Sequence, residues 1–227
     1  EHASAASMIN ELSFLISSLM IPTAFVKLLA RNELLQTASP IVTVSVPSIE
    51  SILGDKLTAF APHTTGVLIG EGKSMEIAKQ LFDVAILTDY FSDQETVERS
   101  YDNMVKEELA YRGLMAGRPD VLKDTINACA SIISRGTIEP EDYKEYIKGI
   151  RAVGSHVLIA DYSGEVAAEE ACKVMYLAAC ILTRKKFQRI TDPEIYINQS
   201  ISKSIYKKLS YMKKRKLEAY GYLVKAV

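Results

Sequence analysis

Apolar residues along this chain change their spacing near residue 41. Before it, short apolar runs lack a steady period: Ile9 to Met20 and Thr23 to Gln36 each fit either a short helix or a strand. Ile41 to Val46 (IVTVSV) alternates and is β-branched, which predicts a strand. Pro47 ends that strand, and Ser48 is suited to cap the free N–H groups of the helix after it. From Ile49 onward apolar positions recur at helical spacing, over Ile49 to Phe60 and again over Met75 to Tyr90. Four more helices follow between clear stop signals: Ser92-Asp93 to about Met115, Pro119 or Asp120 to about Ser134, Pro140 to about Val153, and Ser163 to Lys186. A last long helix is predicted from Asp192-Pro193 toward Val224. Connections this short suit an antiparallel helical bundle. The expected class is mainly α (α+β): residues 1–46 form a short α/β part and residues 47–227 a helical domain.

Within this pattern Lys56 is out of place. At about 100° per residue, Ile49, Ile52, Leu53, Ala59 and Phe60 share one stripe, and Lys56 projects from near its middle. An ammonium there needs a carboxylate, a bound anion or a snorkelling route to water. The next helix bears a polar strip of Glu76, Lys79, Gln80 and Asp83, in which Lys79 and Asp83 stand at the spacing of an ordinary surface pair. Between the helices lies HTTGVLIGEGKS, with Gly66, Gly70 and Gly72. Its Gly72-Lys73-Ser74 suggests a P-loop, but the first glycine of that motif would have to stand at Val67 and no strand leads in. Two readings remain for the loop: a flexible turn, or glycine-rich backbone facing phosphate at a helix N-terminus.

SIESILGDKLTAFAPHTTG followed by GKSMEIAKQLFDVAIL resembles the AbiEii/AbiGii-type toxin nucleotidyltransferases. These are the enzymes of bacterial toxin–antitoxin and phage-abortive-infection systems, within the DNA polymerase β-like superfamily. The resemblance is close from Thr43 to Tyr90, looser through the helices beyond and poor before residue 40. It implies transfer of a nucleotide from an NTP, with Mg²⁺, to an acceptor, tRNA being one candidate. It also implies that Lys56 and Asp83 are catalytic, that Lys56, Thr65 and Gly66 contact the nucleotide, and that a cognate antitoxin is a partner.

One part of the family pattern is missing. Its metal site needs Gly-Ser followed about ten residues later by Asp-x-Asp, and neither occurs before Thr43. Gly154-Ser155 with Asp161 imitates it, but the spacing is too short, Ser163 replaces the second acid, and the segment follows the lysine helix. The resemblance therefore implies the C-terminal portion of such an enzyme, inactive or nearly so alone and holding no metal itself. The alternative reading is a non-catalytic helical module that binds RNA or an antitoxin.

Composition adds a few limits. Among 227 residues, 48% are hydrophobic, enough for a substantial core. A net charge of −1 makes any nucleic-acid binding a local matter. The local candidate is the run Lys207, Lys208, Lys213, Lys214, Arg215 and Lys216, with Tyr206 and Tyr211 interleaved and no acid among them. A solvated helix face is the competing explanation. Three cysteines without a C-x-x-C pair, three scattered histidines and no long apolar run predict a reduced cytoplasmic protein that does not engage membrane.

Overall fold

The computed structural model describes residues 24–29, 42–156, 162–201 and 204–227. Ile9 to Met20 lies outside them. Strands β1 (Phe25–Leu29) and β2 (Thr43–Pro47) pair antiparallel, with Val26 opposite Val46 and Leu29 opposite Thr43. Of the two alternatives for Thr23 to Gln36, strand therefore holds over Phe25–Leu29. Ser48 caps α1 (Ile49–Ala59) by accepting from the Ser51 N–H, and the Ser48 N–H donates to Ala24. Ser51 also bonds both backbone groups of Ala24, so the hairpin is tied to the start of α1.

The helices α2 (Ser74–Tyr90), α3 (Gln94–Arg112), α4 (Arg118–Ile133), α5 (Pro140–Gly154) and α6 (Gly164–Thr183) follow the predicted spans closely. Their boundaries have local causes. Asp93 and Ser163 cap α3 and α6 with their side chains, and α3 ends at Gly113 in the left-handed conformation. Pro119 and Pro140 sit in first turns, where no N–H is missed.

Helix α6 forms the centre. Ala167, Ala168, Ala171, Cys172, Val174 and Ala178 are all fully buried, because their small side chains admit α2, α4 and α8 on different sides. Two interfaces are closer still. At Gly54 a Cβ would lie 2.6 Å from the Val97 carbonyl oxygen, which sets how near α1 approaches α3. At Gly149 it would fall 1.9 Å from the Ser74 carbonyl oxygen, where α5 crosses the start of α2.

The packed pairs correct the purely antiparallel expectation. Contacts between α1 and α3 advance together along both chains, from Glu50–Ser92 to Gly54–Tyr101, and those of α4 and α6 run oppositely, from Arg135–Glu165 to Cys129–Cys172. Helices distant in sequence pack here, so short connections do not set all the directions.

The predicted long C-terminal helix is also corrected. In its place stand 3₁₀ segments Pro193–Tyr196 and Ser204–Tyr211, then α7 (Met212–Arg215) and α8 (Leu217–Ala226). The Tyr196 ring packs on Gly221, within 2.9 Å of where a Cβ would stand, and the Tyr220 hydroxyl donates to the Gln199 carbonyl. A continuous helix would hold residues 196 and 221 roughly 37 Å apart. The chain doubles back because burying Tyr196, Tyr220 and Leu223 outweighs helical continuity through a run of like charges, which repel at helical spacing. No described helix is long and apolar enough to cross a membrane.

Candidate functional site

The first two helices bring Lys56 and Asp83 together. Leu53, Leu57 and Phe60 are fully buried and fix the roll of α1, although Ile49, expected in the same stripe, is 42% exposed. That roll directs the Lys56 stem toward α2, where its Nζ lies 3.1 Å from Asp83 Oδ2, with the two side chains 28% and 24% exposed. Among the described ion pairs Asp83 is bound to Lys56 on the neighbouring helix, while Lys79, four residues before it, stays exposed. The ammonium is thus neither sealed in the core nor free in water.

Asp55, adjacent in sequence, faces elsewhere. Burial pushes its carboxyl up to about 6; Lys56 opposes this, and Glu108 on α3 adds to it. Sequence pattern alone did not single out Asp55, because neighbouring helical positions point to different sides and the partner Glu108 is distant in sequence.

The turn after α1 is pinned. Asp124, buried on α4, accepts from the His63 N–H and the Thr64 hydroxyl, each at 2.8 Å, and burial raises its carboxyl above the ordinary range. His63 Nε2 lies 2.6 Å from Asp142 on α5, and the Thr125 hydroxyl donates to the Phe60 carbonyl. The Thr65 side chain is buried and its hydroxyl donates to the Thr58 carbonyl at 2.9 Å. The Gly66 N–H donates to Ala61, and Arg112 donates to the carbonyls of both Thr65 and Gly66. A Cβ at Gly66 would meet Ala59 and Ala61 backbone, so glycine is required by the turn itself. The expectation of a flexible turn is corrected over these residues. Gly70 and Gly72, with positive φ and open space around them, form its outer part.

Thr65 and Gly66 border a cleft of about 330 Å³ with Lys73, Glu76, Glu108 and Arg112. Glu71 lines it too, so three carboxylates face two cations there. Lys56 does not line this cleft; it is held instead by Asp83 across the α1–α2 seam.

The described residues hold no group of three or more His, Cys, Asp or Glu side chains able to bind a metal ion. At the Lys56–Asp83 pair one carboxylate is present, too few for a protein-held Mg²⁺. Gly154 of the imitation metal motif is held by packing, since a Cβ there would lie 2.5 Å from the Tyr162 carbonyl oxygen; Asp161 lies outside the described residues. The three cysteines are buried and unpaired, their thiols pushed up by burial.

The basic candidates occupy the second 3₁₀ segment, α7 and the residue after it. Lys207, Lys208, Lys213, Lys214, Arg215 and Lys216 are exposed. Arg215 ion-pairs with Glu165 at the start of α6, a partner that the sequence run did not reveal. Comparison with known proteins yields no match: no family model, curated protein or solved structure matches this chain.

Proposed function

We propose that the chain belongs to a nucleotidyltransferase of the toxin–antitoxin or abortive-infection type, transferring a nucleotide from an NTP to an RNA acceptor such as tRNA. The observation that carries this reading is the Lys56–Asp83 pair, 3.1 Å across the α1–α2 seam, on the two helices where the sequence resemblance is closest. On this reading the β1–β2 hairpin is the edge of the nucleotide-handling domain and the helices form a rigid backing. Lys56 places positive charge against the triphosphate, where charge shifts during in-line transfer. Asp83 orients the ammonium without burying it. Mg²⁺, when bound to the substrate, neutralises phosphate charge, while the residues described here hold and align.

Calorimetric titration of the protein with each NTP in the presence of Mg²⁺, before and after Lys56→Ala, tests the reading. Losing a charge-assisted contact should weaken binding by roughly 10–100-fold. Equal affinities of the two proteins would make Lys56 structural and remove the nucleotide site. A second reading, an RNA- or antitoxin-binding module without transfer activity, is favoured by one observation. The cationic C-terminal segment lines an open, charged cleft beyond the end of α4.

A further inference from the structure

Arg135, Glu165 and Arg215 come from three separated parts of the chain and meet in one open cleft. Arg135 follows α4 and stands at φ 52°, a left-handed conformation that glycine or asparagine adopts more cheaply. Its guanidinium lies 5.6 Å from the centroid of the Tyr211 ring and 3.2 Å from Glu165 Oε1. Arg215 pairs with the other oxygen of the same carboxylate. The Tyr211 hydroxyl donates to the Ile133 carbonyl at 2.6 Å, which fixes the ring beneath Arg135. Lys208 lines the same cleft, whose volume is about 420 Å³.

Two guanidinium groups thus converge on one carboxylate, with the Lys208 charge bordering the same cleft. Two guanidinium forks carry more donors than Glu165 can accept, and planar forks of this kind suit phosphate oxygens. Both arginines and Glu165 are between 42% and 48% exposed, so the ion pairs contribute little to stability and exchange readily for a ligand. Positive charge continues beyond the cleft through exposed Lys207, Lys213, Lys214 and Lys216, further than one phosphate group would need. Tyr206 and Tyr211, each partly exposed, add aromatic surface beside this track.

We infer that this cleft binds the phosphate backbone of single-stranded RNA, with Glu165 as an internal anion that the incoming phosphate displaces from between Arg135 and Arg215. The inference rests on the RNA acceptor of the proposed function and names where that RNA docks. Binding is read without nucleotide transfer, so failure here leaves the Lys56 measurement standing, and the reverse.

The test is fluorescence anisotropy of a short labelled single-stranded RNA titrated with the full chain across a range of salt. Arg135→Gln with Arg215→Gln should weaken binding at least tenfold and lower the salt slope by about 1.4, as expected for two lost phosphate contacts on a single strand. Glu165→Gln should tighten binding several-fold, a gain that misfolding does not produce. Glu107→Gln removes the same charge from an exposed site on α3 and should have no such effect. Equal behaviour of Glu165→Gln and Glu107→Gln, or wild-type affinity in the double arginine variant, would overturn the proposal. So would RNA that binds no more tightly than inorganic phosphate, because the cleft would then be a simple anion site.

Discussion

Lys56 illustrates how a single side chain can be read before its partner is known. Its place in an apolar stripe called for a carboxylate, a bound anion or a snorkelling route to water, and that inference used only the helical period. The identity of the counter-charge was not available from period, because Lys79 offers Asp83 a local partner at ordinary spacing. What decides the matter is the roll of α1 fixed by Leu53, Leu57 and Phe60. Gly54, two residues earlier, makes the same point with opposite sign. Glycine in a helix interior ordinarily costs about 1 kcal/mol relative to alanine. Here Gly54→Ala should instead destabilise by about 1–3 kcal/mol, since the new Cβ meets backbone atoms of Val97 and Tyr101 at 2.6 and 2.7 Å. Urea denaturation of the variant checks the sign; a gain in stability would show that α1 and α3 are not packed this closely.

Among elements, the helices from α1 to α6 were legible because their boundary signals are local: Ser48, Asp93, Pro119, Pro140 and Ser163 act within one turn of where they stand, although Gly113 ends α3 slightly before the expected Met115. The C-terminal segment was not, because nothing between Glu194 and Tyr220 is a proline or glycine and apolar residues recur there at helical spacing. Its break comes from the packing of Tyr196 on Gly221, which no local rule registers. The seam of α6 carries a further consequence. Burial pushes the Glu170 carboxyl up to about 7; the Tyr162 hydroxyl and Lys173 pull the other way, yet Glu170 Oε2 lacks a well-formed hydrogen bond. A carboxyl raised in the folded state contributes stability that is complete below its unfolded value near 4.5 and is lost as pH rises through about 7. Thermal melts should therefore show stability falling between these values, and Glu170→Gln should flatten that decline by on the order of 1–2 kcal/mol. An unchanged pH profile in the variant would mean that Glu170 is well solvated.

On the scale of the whole molecule, a mainly helical fold followed from periodicity, whereas the helix pairings did not. Arg135 and Glu165 are far apart in sequence, and Arg215 is farther still, so the cleft they form appears only after α4, α6 and the C-terminal segment are assembled. Half of that site, the basic run, stood out as charge; the other half looked like an unremarkable helix end. The fold thus presents two charged features with different character. One is the partly exposed Lys56–Asp83 pair where the last turn of α1 meets α2, and the other is a cationic track along the chain's C-terminal part. On the proposed function the Lys56–Asp83 pair serves a ligand and not the fold. The most direct measurement compares Lys56→Met with wild type in both thermal stability and triphosphate affinity. A pair this exposed should cost no more than about 1 kcal/mol of stability when broken, while triphosphate affinity collapses. A large loss of stability with affinity unchanged would show that the pair serves the fold.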